Sequence, residues 1–221
     1  MFRKIFLVGL IFAFEALAQY TATSTHFVPI PLHPDAPSRV AVGFDFAPTP
    51  SFELEAGYIY QLGAGFDIGA GLHGGVMGLK NYGILGLDVM FRFLKPLDET
   101  VFIGLQGQVG YVYTGIGNVS IALNAGSALP VTAGFVLGGV VRELSRFYFF
   151  PAVEFGQTMN AGDPLWKSGI GLRFTVGSAI SLSDTTYLVI ETRPRITNFV
   201  GSLSALNTFT IDATLGLLFD F

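Results

Sequence analysis

From residue 39 to the end of the chain, apolar residues recur at every second position, and this constrains the fold more than any other feature. In 39–48 the apolar set is Val40, Val42, Phe44 and Phe46, alternating with Arg39, Ala41, Gly43 and Asp45. In 51–62 it is Phe52, Leu54, Ala56, Tyr58, Tyr60 and Leu62, against Ser51, Glu53, Glu55, Gly57 and Gln61. Successive side chains of a β-strand point to opposite faces, so a period of two gives strands with one greasy face and one small or charged face. The pattern predicts an all-β chain of ten strands, at about 39–48, 51–62, 65–78, 83–94, 100–114, 131–142, 147–158, 168–182, 186–194 and 207–221. Eight strands are the alternative, if the weakly patterned ninth strand or the short first hairpin does not form. Turn clusters such as Pro48-Thr49-Pro50, Gly63-Ala64-Gly65 and Lys95-Pro96-Leu97-Asp98 separate the strands. Connections after strands 2, 4, 6 and 8 read as short, and those at about 115–130, 159–167 and 195–206 as long.

A soluble β-sandwich also alternates, so the chemistry of the two faces must decide. Hydrophobic residues make up 51% of the chain and charged residues 13%, too few to cover a water-facing surface. The non-apolar face holds half of the 28 glycines, among them Gly43, Gly57, Gly69, Gly86, Gly110, Gly177 and Gly216. Interleaved with them are Arg39, Asp45, Glu53, Glu55, Asp67, Asp88, Arg92, Arg142, Glu154, Arg173, Glu191, Arg193 and Asp212. A sandwich would put an apolar face inward, whereas this mixture suits a narrow polar lumen in which small residues make room for long charged ones. Most predicted strands reach the roughly 9–11 residues a tilted strand needs to cross a bilayer. A helical membrane reading of the uncharged stretch 100–141 fails on Pro130, the repeated Gly and the period-two order of Ile103, Leu105, Val109, Tyr111 and Tyr113.

Residues 1–18 begin with Arg3 and Lys4, continue with an apolar run and close on Ala16-Leu17-Ala18, the layout of a secretory signal peptide cleaved before Gln19. Ten apolar residues span only about 15 Å as a helix, half of a ~30 Å hydrocarbon core. Gln19 is not Cys, so lipid anchoring is not expected. Residues 19–38, with Pro29, Pro31, Pro34 and Pro37, read as an extended periplasmic lead-in before a barrel over 39–221. The chain has no cysteine, which excludes disulfides and thiol chemistry and suits an oxidising compartment. A formal net charge of -4 argues against a nucleic-acid partner.

The C-terminal run Thr214-Leu215-Gly216-Leu217-Leu218-Phe219-Asp220-Phe221 resembles the terminal strand of bacterial outer-membrane β-barrels, with a polar residue, a glycine two on, and hydrophobics at the third-last and last positions. The resemblance, nearest in size to the small OmpA- and OmpW-like barrels, implies a transmembrane antiparallel up-and-down barrel in the bacterial outer membrane. It also implies that Thr214, Gly216, Phe219 and Phe221 form a signal read by the barrel assembly machinery, and that lipid and lipopolysaccharide surround a monomer. Lipid offers no hydrogen-bond partner, so such a sheet must close. Two aromatic girdles are expected: Phe66, Phe91, Phe93, Phe147, Phe149, Phe219 and Phe221 at the periplasmic ends, and Phe46, Phe52, Tyr111, Tyr113, Phe155 and Phe209 toward the outer ends. No soluble cell-wall domain is expected after the last strand.

The lumen charges are the only constellation with chemical potential. A buried charge must be paired or hydrated, so the expectation is a salt-bridge network that fills a small barrel with a structural or surface-interaction role. The alternative is a narrow conduit that prefers cations because acids outnumber arginines. An enzyme is the least favoured reading. Lipid A deacylases, which resemble this chain in size, carry a His-x-Ser pair, but Gly74 and Gly75 follow His73 here. Asp67, on the same predicted strand, lies roughly 20 Å from His73 at 3.3 Å per residue. No cofactor or metal is expected, because phosphate loops, dinucleotide fingerprints and Cys or His clusters are all missing.

Overall fold

The computed structural model describes residues 27–47, 51–77, 82–116, 126–141, 145–160, 163–199 and 208–221. Ten strands form one closed antiparallel barrel: β1 (Ser38–Ala47), β2 (Ser51–Gly63), β3 (Phe66–Met77), β4 (Tyr82–Pro96), β5 (Val101–Ile116), β6 (Gly126–Val141), β7 (Ser145–Asn160), β8 (Asp163–Ser181), β9 (Thr186–Phe199) and β10 (Thr208–Asp220). Each strand pairs with its sequence neighbours, and β1 closes on β10 from Arg39↔Asp220 to Phe46↔Ala213. Two backbone bonds, Ser38 N–H to the Phe221 carbonyl and Phe221 N–H to the Ser38 carbonyl, finish that seam. The even strand number brings the start of β1 and the end of β10 to one end of the barrel, here called the terminal end, together with the turns after β2, β4, β6 and β8.

The alternation sorts side chains as the pleat requires. Val42, Phe44, Leu54, Leu72, Leu87, Leu105, Phe135, Leu172, Ile190 and Leu215 are exposed on the outside, while Arg39, Glu55, Asp88, Gln106, Glu154 and Asp212 are buried inside. Among the strand residues whose side chains are described, Lys95 at the turn end of β4 is the one exposed charge. An apolar belt of this kind is stable in lipid and not in water. The expected girdle aromatics Phe66, Phe91, Phe147, Phe149, Phe219, Phe221, Phe46, Phe52, Tyr111, Tyr113 and Phe155 are all exposed, and Phe93 is partly so. The side chain of Phe209 lies outside the described residues.

Several strands run further than their alternation suggests. β6 starts at Gly126 rather than 131, β8 at Asp163 rather than 168, and β9 continues to Phe199 rather than ending at 194. The expected long connection at 159–167 is therefore two residues, 161–162. Prolines mark two of these extensions: β6 reaches back past Pro130 and β9 runs on past Pro194. Pro130, Pro151 and Pro194 each sit in a strand, and each offers no N–H to a ladder. Beside them the pairing skips from Val109↔Val131 to Val112↔Ala128, from Gly134↔Ala152 to Leu137↔Phe149, and from Arg173↔Arg195 to Val176↔Thr192, and resumes each time in the same register. In β7–β8 a register shift between Thr158 and Asn160 also interrupts the period.

The β2–β3 turn shows why Gly63-Ala64-Gly65 is so small. All three residues have positive φ, 123°, 50° and 83°. A Cβ on Gly65 would lie 2.2 Å from the Leu94 carbonyl oxygen, on a residue whose own carbonyl accepts from the Leu94 N–H at 2.9 Å.

Candidate functional site

The lumen is not the uniformly polar space that the alternation suggests. Ala41, Leu94, Phe102, Val136, Tyr148, Phe150, Ala179, Tyr187, Val189 and Leu218 point inward and form an apolar cluster with Val28 and Ile30. A second cluster joins Phe27 and Leu32 to Ile59 and Met90. The segment before β1 thus enters the barrel: Phe27, Val28, Ile30 and Leu32 are buried, Ile30 completely. From the sequence alone this stretch reads as an extended periplasmic lead-in that could also fold up into the periplasmic mouth, and a run of apolar residues and prolines has no favourable place in water when an apolar lumen lies beside it.

Wall side chains hold the main chain of this segment. Gln106 Nε2 donates to the Phe27 carbonyl at 3.1 Å and Arg92 Nη1 to the Val28 carbonyl at 2.7 Å. Arg39 donates from Nη1 to Ile30 O at 3.1 Å and from Nη2 to Pro31 O at 2.9 Å, and Arg146 Nη1 reaches the same Pro31 oxygen at 2.9 Å. Two of these guanidinium groups are set by acids at register positions. Arg39 meets Asp220 across the seam in a forked pair, Nε to Oδ1 at 2.5 Å and Nη2 to Oδ2 at 2.8 Å, and the His33 N–H adds a third bond to that carboxylate at 2.9 Å. Arg92 faces its cross-strand partner Asp67, with Nε and Nη2 2.8 and 2.7 Å from Oδ2. Arg146 also stands 4.8 Å over the Tyr187 ring, an additional attraction for a cation.

Above the segment lies the acid-rich half of the network. Arg193 pairs with Asp45 and donates to Thr214 Oγ1 at 3.2 Å, and its Nε lies 3.5 Å from Glu191. Glu191 in turn accepts from the Tyr148 hydroxyl at 2.6 Å. Glu154 joins Arg195 at 2.8 Å and Arg173 at 3.3 Å. His73 bridges two carboxylates, Glu53 at 2.9 Å from Nδ1 and Asp88 at 3.5 Å from Nε2. Beside Phe27 and Pro29, facing Arg173, Glu191 and Arg193, the free space is about 10 Å³, at most one water. At the terminal end a more open cavity of about 460 Å³ lies between Leu32, Pro34, the β2–β3 and β4–β5 turns and Arg146.

Of the charges expected in the lumen, Arg39, Asp45, Glu53, Glu55, Asp67, Asp88, Arg92, Glu154, Arg173, Glu191, Arg193 and Asp212 all face inward. Arg142 lies outside the described residues. Sequence reasoning left out Arg195, Arg146 and Asp220. Arg195 follows Pro194, where the expected strand stopped, and Arg146 was assigned to a turn. Asp220 has lumen parity in plain sight, between Phe219 and Phe221. The partners of His73 were also missed, although a hairpin centred on Gly63-Ala64-Gly65 already implies the pairing Glu55↔His73 and so places Glu53 on the neighbouring strand. Thr214, expected as part of an assembly signal, also makes lumen contacts, donating to Asp45 at 3.3 Å. Gly216 faces inward on β10, while Phe219 and Phe221 lie outside.

No family model matches the sequence, and no curated protein does either. Among solved structures, the chain is similar to the translocator domain of the autotransporter NalP from Neisseria meningitidis, at 12% identity over 99% of this chain and 96% of that one, with a TM-score of 0.48. Neisserial surface protein A is similar at 9% identity over 83% and 94%, with a TM-score of 0.39. The attachment invasion locus protein Ail of Yersinia pestis is similar at 12% identity over 83% and 97%, with a TM-score of 0.34.

Proposed function

We propose that this protein is an integral outer-membrane β-barrel that stands closed, its lumen filled by its own N-terminal segment, and that it acts as a structural or surface-interaction protein rather than as an open pore. The location follows from three features taken together: a closed sheet with an apolar exterior, a basic-apolar A-x-A start that reads as an export signal, and a terminal strand like those handled by barrel assembly machinery. One observation carries the closed state. Phe27 to Leu32 lie in the lumen with four of their carbonyls bound to Gln106, Arg92, Arg39 and Arg146 on four different strands. A barrel of this size has an interior only about wide enough for its side chains or one small ligand, so an inserted main chain leaves no continuous water path at that level.

We read no reaction into the lumen. His73 is the one wall histidine, and its two nitrogens face Glu53 and Asp88, an arrangement that positions charge. The alternative reading, a narrow cation-preferring conduit, draws on the seven carboxylates of Asp45, Glu53, Glu55, Asp88, Glu154, Glu191 and Asp212 against Arg173, Arg193 and Arg195 in the region above the segment. The two readings differ in planar-bilayer conductance. Refolded full-length protein is expected to pass no steady current; a sustained open state in the wild type overturns the closed reading, and cation selectivity of that current establishes the conduit.

A further inference from the structure

We infer that the terminal half of the lumen is a peptide-binding site, specific for an apolar, proline-containing segment whose carbonyls it reads, and that residues 27–32 occupy it in cis. The inference rests on the closed reading and adds to it what the site recognises. Hydrogen bonds from Gln106, Arg92, Arg39 and Arg146 run from the wall to main-chain carbonyl oxygens of Phe27, Val28, Ile30 and Pro31, with Pro31 O bound twice. Their donors are three guanidinium groups and one carboxamide. A guanidinium has donors only, so this wall favours a ligand with an excess of acceptors.

The segment is such a ligand. Pro29 and Pro31 contribute carbonyls but no N–H, and their fixed φ near −65° prevents the chain from adding to the sheet as a further strand. The Ile30 N–H turns back to the Val28 carbonyl at 2.9 Å, and so makes no demand on the wall. Proline also lowers the entropy lost on binding, the usual advantage of proline-rich ligands in aromatic grooves.

Sockets for the side chains complete the site. Gly69 leaves the space that Phe27 fills: a Cβ there would lie 2.8 Å from the Phe27 ring. Ile30 is 0% exposed in the cluster that includes Phe102, Tyr148 and Phe150. The carbonyl contacts fix the main chain, and the sockets select apolar side chains at the first, second, fourth and sixth positions of the segment.

The test uses the full chain. Ile30→Asp puts a charge where none can be hydrated, so the cis segment leaves while the wall remains wild type. A dye-labelled synthetic peptide of residues 27–36 is titrated onto the refolded variant in vesicles, with fluorescence anisotropy and conductance as readouts. The expected result is saturable binding and loss of the current that the variant passes. Replacing the peptide bond between positions 31 and 32 by an ester weakens the Pro31 carbonyl, which accepts from both Arg39 and Arg146, and is expected to lower affinity about tenfold. A scrambled peptide is expected not to bind. If Ile30→Asp yields no heat-modifiable barrel, Phe27→Ala with Ile30→Ala, which introduces no charge, replaces it in the same titration.

The two readings fail separately. Current through the wild type overturns the closed state. A silent wild type with a variant that binds neither peptide, or binds the scrambled one equally, overturns the peptide site alone. Equal affinity for the ester and the amide overturns recognition of the main chain.

Discussion

Gly86 shows what the glycines of the inner face do. A Cβ at this position would lie 1.8 Å from His73 Nε2, and the fully buried His73 ring is fixed by its Nδ1 bond to Glu53 at 2.9 Å. Gly177 stands in the same relation to Tyr148, and Gly138 to Phe102, with Cβ distances of 2.2 and 2.0 Å to the rings. Each glycine is a socket for a ring on a neighbouring strand, so a small residue and a bulky one act as a pair. Gly86→Ala is expected to destabilise the barrel by about 1–3 kcal/mol through overpacking. Gly107→Ala, where the nearest atom to the new methyl is 3.8 Å away, is expected to stay within about 0.5 kcal/mol. Urea unfolding from vesicles, followed by the heat-modifiable gel shift, separates the two.

Closure of the sheet places its own demands on the elements. The β1–β10 seam joins residues at opposite ends of the chain, and Arg39 and Asp220, both with fully buried side chains, face each other at its terminal end. Removing one partner leaves the other charged without compensation, so Arg39→Met is expected to cost about 3–5 kcal/mol, whereas Arg39→Met with Asp220→Leu is expected to recover part of that loss. A double-mutant cycle on the same unfolding assay measures the coupling, and independent, additive effects would show that the pair does not act as a unit. The β4–β5 turn gives a prediction about pH. Asp98 accepts from the Thr100 hydroxyl at 2.8 Å and from the Thr100 and Val101 N–H groups at 2.7 Å each, and these bonds hold its carboxyl below the usual aspartate range. Its contribution to the turn is present above the unfolded pKa and is lost as pH falls through the depressed one. Carboxyl-carbon NMR in micelles is expected to give a midpoint below 3.8, rising toward that value in Thr100→Val.

At the scale of the whole molecule, two solvents act on one sheet. Lipid on the outside requires apolar side chains at every outward position, and the lumen accepts apolar and charged groups alike as long as each is packed or paired. Leu105 and Gln106 are adjacent on β5, one 52% exposed on the outer face and the other buried against the Phe27 carbonyl. Leu105→Arg is expected to lower stability in the bilayer by about 2–4 kcal/mol. Gln106→Ala removes a single neutral hydrogen bond and is expected to cost about 1 kcal/mol. Equal losses on refolding into vesicles would contradict the assigned faces.

The antiparallel order and the division between outer and inner face were legible in the sequence, and so was a count of ten strands with eight left as the alternative, because strand alternation is a local property of the pleat and each outward residue meets the same solvent whatever its neighbours. The alternation from Val40 to Phe46 and from Phe209 to Phe221 needed no tertiary knowledge. Pro130 and Pro194 blurred two strand ends, since they interrupt the ladder without breaking the register. What only the tertiary structure decided is who meets whom inside. Arg39 lies 181 positions from Asp220 and Arg146 lies 115 from Pro31, and nothing along the chain signals such pairs before the sheet closes. The same holds for residues 27–37. Read alone they have neither strand nor helix period, and their place follows from a lumen that exists only once all ten strands have closed around it, with apolar walls to bury their side chains and free donors to bind their carbonyls.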